Sequence, residues 1–191
     1  ATSAAEKVIL FDIQRTEELL NGDWSDETKQ LYKKENTTKI LKGLRNVIGK
    51  DNVDIIIGGP PCQAYSIHGR ATDKNSMQDD YRNYLFESFV KVVAAFMPKA
   101  FIFENVTGML SAKPGGRPVV DRIYNAFKDI GYDTLVPTCF KDAVYNAYDY
   151  NVPQHRERVI LIGKRKGTGF HIEDFYEELS KMKSNKHLSV R

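Results

Sequence analysis

The sequence predicts an α/β protein built on a doubly wound, mainly parallel sheet. Short apolar, β-branched runs recur at residues 53–57, 100–103 and 159–162. Each is too short for a helix and suits a buried strand. Between the first two lies the stretch 84–97, where Leu85, Phe86, Phe89, Val92, Val93 and Phe96 share one helical face. Strands that alternate with helices pair in parallel, because a crossover returns the chain to the same end of the sheet. With 191 residues, 41% of them hydrophobic and 28% charged, the chain can fill one sizeable core.

Taken in order, Val8, Ile9, Leu10 and Phe11 read as a first strand running into Asp12 and Ile13. Residues 25–49 are polar with spaced apolar positions, which predicts two helices or a helix and an irregular insert. Helical spacing is clearest over 38–48, and Ser25 is placed as an N-cap. The strand at 53–57 is halted by Gly58, Gly59, Pro60 and Pro61. Residues 64–80 have little periodicity, and a loop of that length in a compact domain is commonly functional. The helix at 84–97 stops before Pro98. The strand at 100–103 leads into Glu104, Asn105 and Val106, and residues 113–116 form a loop. A helix is expected at 118–130, with Pro118 in its first turn and Gly131 at its C-terminal cap. Residues 132–140 suit a strand, 159–162 another, and 173–182 a short helix. Residues 1–166 read as one unit and 167–191 as a tail.

Net charge is +3, compatible with a nucleic-acid partner. The two cysteines, Cys62 and Cys139, have neither zinc spacing nor a disulfide framework, so a reducing compartment is expected and no metal. No apolar run is long enough to span a membrane, and residues 1–7 carry no signal-peptide core, which favours the cytoplasm. The chain starts without methionine and is expected to be a fragment of something longer.

Chemistry-bearing residues gather at strand ends. Cys62 follows a strand where ligands bind in open α/β sheets, so it is a candidate nucleophile; a small core hydrophobe is the other reading. Glu104 directly follows an apolar strand, where partial desolvation favours a proton-donating acid, unless it is a plain surface glutamate. The Asn105 amide can tie its loop down. Arg156 and Arg158 alternate and so share a face, suiting a phosphate or a carbonyl-rich base edge, or simply solvent.

In order along the chain stand Gly59-Pro60-Pro61-Cys62-Gln63, Glu104-Asn105-Val106 and Gln154-His155-Arg156-Glu157-Arg158. This series resembles the signatures of the cytosine-C5 DNA methyltransferases. Residues 146–153 (Asn-Ala-Tyr-Asp-Tyr-Asn-Val-Pro), residues 82–86 and, more weakly, Asp12-Ile13 add to the likeness, which covers residues 8–163. The resemblance implies the Rossmann-like fold of S-adenosylmethionine-dependent methyltransferases. It implies that the Cys62 thiolate attacks C6 of a flipped-out cytosine, that Glu104 neutralises charge at N3, and that Arg158, supported by Arg156, holds O2. It assigns Asp12, Ile13, Pro61 and Leu85 to the cofactor, S-adenosyl-L-methionine. It assigns Pro60, Gln63, Ser66, His68, Arg70 and Asn105 to double-stranded DNA, with residues 64–74 as a closing, phosphate-contacting segment. By analogy the setting is a restriction–modification system.

The family's Phe-x-Gly-x-Gly cofactor loop, target-recognition region and C-terminal Gly-Asn motif do not occur in these residues. An internal piece of a catalytic domain is therefore expected, completed by other segments or chains and inactive alone. Three other readings share some features. A tRNA cytosine-C5 methyltransferase has the same Pro-Pro-Cys-Gln pattern. The amino-methyltransferases carry an aromatic residue where Cys62 stands. A non-catalytic DNA-binding remnant would not need Cys62, Glu104 and Arg158 together.

Overall fold

The structure is a computed structural model that describes residues 11–32, 43–61 and 85–184. Residues 8–10 of the first expected strand lie outside the described residues. So do Cys62, Gln63, Ser66, His68, Arg70, the loop at 64–80, residues 82–84 and the start, 38–42, of one expected helix.

In chain order the helices and strands are α1 (Thr16–Asn21), α2 (Asp26–Tyr32), α3 (Gly43–Ile48), β1 (Ile55–Gly58), α4 (Leu85–Phe96), β2 (Ala100–Val106), α5 (Val119–Asp129), β3 (Tyr132–Asp133), β4 (Val144–Asn146), β5 (Glu157–Arg165) and α6 (Ile172–Lys181). Ser25 caps α2 as expected, its Oγ accepting the Thr28 N–H at 3.2 Å. Pro118 precedes α5 in extended geometry, and Gly131 follows it with φ 88°. That left-handed turn is nearly free for glycine and costly for other residues.

The sheet has the order β1-β2-β5-β3, with β4 beside β5. β1 and β2 run parallel, from Ile55 opposite Ala100 to Gly58 opposite Phe103, and α4 lies in the crossover between them. β5 runs antiparallel to β2, β3 and β4. The α/β class holds, but the described sheet is mixed rather than mainly parallel. The reason is local. No α-helix separates β3, β4 and β5, and connections that short join antiparallel neighbours.

Two expectations need correction. The strand at 132–140 is only two residues long, and Pro137–Ala143 winds as a 3-10 helix that buries Phe140 and Ala143. Pro137 has no N–H to give a ladder. The strand at 53–57, read as buried, has one open face: Ile55 is 55% and Ile57 71% exposed, while Ile56 and Gly58 are half-buried. An apolar run does not tell whether one face or both are covered.

α4 and α5 cover one face of the sheet. Phe101 stacks on Phe127 with ring centroids 4.0 Å apart, and Phe89 meets Phe101, Phe103 and Phe127 edge-on. Two glycines make room for these rings. A Cβ on Gly163 would stand 2.0 Å from Phe101, and one on Gly58 2.4 Å from Phe89. α6 packs along β5. Its Tyr176 hydroxyl accepts the Ile162 N–H at 3.1 Å and donates to the Ile160 carbonyl at 3.3 Å, filling the gap between β3 and β4. Tyr132 is buried and donates to the Pro98 carbonyl at 2.6 Å. Burial pushes both phenols up to about 12.

Candidate active site

β1 and β2 leave the sheet at the end where β5 enters it, because β5 is reversed. Residues distant in sequence converge there. Glu104 lies inside β2 rather than in the loop after it. Register sets Arg158 opposite Val106, so Arg158 stands diagonally from Glu104 on the same face. The Arg158 Nε meets Glu104 Oε1 at 2.7 Å, with the two side chains 23% and 41% exposed. The Arg158 Nη1 donates to the Glu157 carbonyl at 2.7 Å, which fixes the guanidinium plane further. In this arrangement the two groups expected to hold a pyrimidine hold each other.

Gly59 packs against the other carboxylate oxygen. A Cβ there would lie 2.5 Å from Glu104 Oε2, so any larger residue would collide with the acid. The carboxylate is thus set between the Gly59 backbone and the Arg158 guanidinium.

Asn105 does what its amide suggested. It is buried at 3% exposure, its Nδ2 donates to the Pro60 carbonyl at 3.3 Å, and its Oδ1 accepts the Val106 N–H at 2.8 Å. One side chain therefore ties β2 to the turn after β1. Pro60 is buried and Pro61 exposed. This tie sets the path of the chain two residues before Cys62.

Arg156 and Arg158 line one cleft of about 560 Å3 together with Thr107, Asn146, Gln154, His155 and Glu157. The loop 147–156 contributes Gln154, His155 and Arg156 to its lining. His155 stacks on Tyr148 with ring centroids 4.2 Å apart. Asn151 turns the loop with φ 62°, a left-handed conformation asparagine tolerates better than most residues.

The residues expected to hold cofactor stand in different settings. Asp12 is exposed; its Oδ1 accepts the Gln14 N–H at 2.9 Å. The Ile13 carbonyl accepts the Thr16 hydroxyl at 2.7 Å, so both residues are held in the turn into α1. Leu85 is 7% exposed at the first turn of α4, where it packs inward. The structure thus brings Gly59, Pro60, Glu104, Asn105, Arg156 and Arg158 to one end of the sheet, with Pro61 just beyond. Sequence reasoning passed over Gly59, Thr107, Asn146 and Tyr148 as site residues. Gly59 and Asn146 were within quoted motifs, but only contact distances reveal their roles.

The profile of the C-5 cytosine-specific DNA methylase family matches residues 9–190. The Type II methyltransferase M.Bpa9945I of Bacillus paralicheniformis is 46% identical over 142 residues, which are 73% of this chain and 31% of that protein. The Type II methyltransferase M.FnuDI of Fusobacterium nucleatum is 31% identical over 181 residues, 93% of this chain and 49% of its own length. A crystal structure described as that of a DNA modification methyltransferase encoded within an E. coli prophage superposes with a TM-score of 0.50. It is 28% identical and covers 85% of this chain and 35% of its own. The chain therefore spans between about a third and a half of the length of these relatives. The likeness agrees with a Rossmann-like methyltransferase fold. Matched from residue 9 to residue 190, this chain belongs to the C-5 cytosine-specific DNA methylase family.

Proposed function

We propose that the chain carries the base-activating part of a DNA (cytosine-5-)-methyltransferase that acts on a flipped-out cytosine in double-stranded DNA. The observation that best supports this is the Glu104–Arg158 pair at 2.7 Å, held against Gly59, just ahead of Pro60 and Pro61. An acid and a guanidinium set side by side on one face of neighbouring strands match the N3 and O2 edge of a pyrimidine.

The chemistry follows from what cytosine lacks. Its C5 is too weak a nucleophile to take a methyl group unaided. The Cys62 thiolate adds to C6, forming an S–C6 bond. The displaced electron pair moves into the ring and raises electron density at C5. Glu104 supplies a proton at N3, and Arg158, with Arg156 beside it, holds O2 and the growing charge. After methyl transfer the C5 proton leaves to a base, the S–C6 bond breaks and the ring recovers its conjugation. A stacked base cannot meet these groups, so the cytosine must leave the duplex.

S-adenosyl-L-methionine supplies the electrophilic methyl group when bound. The exposed Asp12 carboxylate suits an amine hydrogen bond, and the exposed Pro61 ring suits packing against a flat heterocycle. The buried Leu85 offers apolar surface and no polar contact. Gln63, Ser66, His68 and Arg70 are proposed to meet the DNA, along with Pro60 and Asn105 through the turn they hold. Segments that the longer relatives carry beyond the matched region are the other proposed partners, and the chain alone is not expected to methylate. Relatives named as Type II methyltransferases support a restriction–modification setting in the cytoplasm. Among the described residues no helix is long and apolar enough to cross a membrane.

The deciding experiment offers the full-length protein a duplex carrying 5-fluorocytosine at the target position. Fluorine does not leave as a proton does, so the thiol route traps the enzyme on C6. A denaturation-stable adduct is expected from the wild type with S-adenosyl-L-methionine, and none from Cys62→Ser. Methyl transfer to ordinary cytosine without any trapped adduct would remove Cys62 from the mechanism.

A further inference from the structure

We propose that Asn146 is a positioning residue for Arg156 and Arg158, acting through a single side-chain oxygen that holds both limbs of the 147–156 loop. The inference rests on the reading of the site given above. Asn146 Oδ1 accepts the Tyr148 N–H at 3.1 Å and the Arg156 N–H at 3.2 Å. The first bond caps the 3-10 turn Ala147–Tyr150, which opens the loop. The second closes the far limb at the residue where the arginine pair begins. The Ala147 N–H donates to the Arg156 carbonyl at 3.0 Å and completes the closure.

Register carries this clamp to the ion pair. Asn146 stands opposite Glu157, and Tyr145 opposite Arg158. The Arg156 backbone is therefore pinned just before the chain enters β5, and Arg158 reaches Glu104 from a fixed base. Side-chain chemistry explains the residue type. An Asx side chain is short enough to reach its own backbone two residues on, and its carbonyl oxygen has a second lone pair for another donor. Alanine offers neither acceptor. Aspartate keeps the acceptor oxygen for both donors, but it replaces the amide NH2 with a second oxygen and adds a negative charge. Asn146 also lines the cleft, so an amide that touches DNA directly is the competing explanation.

The two aspects separate in the full-length protein with Asn146→Ala and Asn146→Asp. Steady-state methyl transfer to duplex DNA is measured together with amide hydrogen exchange at Tyr148 and Arg156. Displacing a reacting group by ~1 Å costs on the order of 100-fold in rate, so Asn146→Ala should lower kcat by ~10- to 100-fold. Its KM for DNA should stay within about threefold, since a lost positioning contact acts in the transition state. Asn146→Asp should restore most of kcat. Both amides should lose protection in the alanine variant and keep it in the aspartate variant. A wild-type kcat in Asn146→Ala overturns the proposal. So does an Asn146→Asp enzyme as slow as the alanine variant while both amides keep their protection, which would separate the clamp from the rate. If the wild type methylates no cytosine, the functional reading fails; the exchange data still decide this inference, because unchanged protection in Asn146→Ala refutes the clamp.

Discussion

Replacing Gly59 by alanine tests whether the close approach of backbone to acid sets the catalytic geometry. The new Cβ would stand 2.5 Å from Glu104 Oε2, against an ordinary contact of 3.4 Å or more, so the carboxylate must retreat by about 0.9 Å. The neighbour is the far end of a flexible side chain, so the main chain need not shift. The stability cost should fall at the low end for overpacking, about 1 kcal/mol. The site loses more. The pair with Arg158 is already 2.7 Å long, so a carboxylate pushed off Gly59 has no room toward the guanidinium and must rotate out of the pairing geometry or displace Arg158. A misplacement on the ångström scale predicts a fall in kcat on the order of 10- to 100-fold. The assay is single-turnover methyl transfer by the full-length protein at saturating DNA, with a melting curve alongside. The expected result is a slow enzyme whose Tm drops by only a few degrees. A wild-type rate would show that the position of Glu104 is not set by Gly59. A collapse of Tm would assign the glycine to folding instead.

Other outcomes follow from the same geometry. Asn105→Ala leaves the Pro60 carbonyl and the Val106 N–H without their partner, which should cost about 2 kcal/mol in a urea titration. Asn105→Asp should not rescue it, because it removes the donor to Pro60; an aspartate variant as stable as wild type would sink this account. Arg158→Lys keeps the charge and loses the planar fork, so kcat should fall about tenfold or more with DNA binding little changed, and an undiminished kcat would mean that charge alone suffices. Alkali should destabilise the fold between pH about 10 and about 12. The Tyr132 and Tyr176 hydroxyls are pushed up from 10.0 to about 12, so the folded chain keeps protons that the unfolded chain releases, and stability present below pH 10 is lost as pH rises through that window. Chemical-denaturation midpoints from pH 9 to 11.5 check this, and a flat profile would contradict it.

Much of the fold could be read from residue pattern. α4 and α5 have a clear helical period, β2 and β5 follow short apolar runs, and Pro98, Pro118 and Gly131 mark ends where their backbone chemistry demands. The direction of β5 was harder. The alternation of strand and helix ends after α5, so the rule that predicts parallel neighbours no longer applies to β3, β4 and β5. Residues 132–140 failed for a related reason: β-favouring side chains surround Pro137, and one missing N–H outweighed them. At the site, Glu104, Asn105 and Arg158 were legible because they sit at the ends of apolar runs. Their pairing was not, since a diagonal contact depends on register. Gly59 and Asn146 matter through a single distance each, and no composition or spacing encodes a distance.

The antiparallel ladder between β2 and β5 also governs when the site comes into being. β2 ends at Val106 and β5 begins at Glu157, so their pairing closes a long stretch of chain. Contacts between segments so far apart form late in folding, because the loop-closure entropy must be met first. A collapsing chain can assemble α4, α5 and their aromatic cluster while Glu104 and Arg158 remain apart. Once formed, the ladder lies inside the sheet, between β1 and β3, where amides exchange only through wide opening of the domain. The acid and its arginine therefore stand on strands that meet across a long loop and separate only when the domain opens, whereas the 147–156 loop beside them can open by itself.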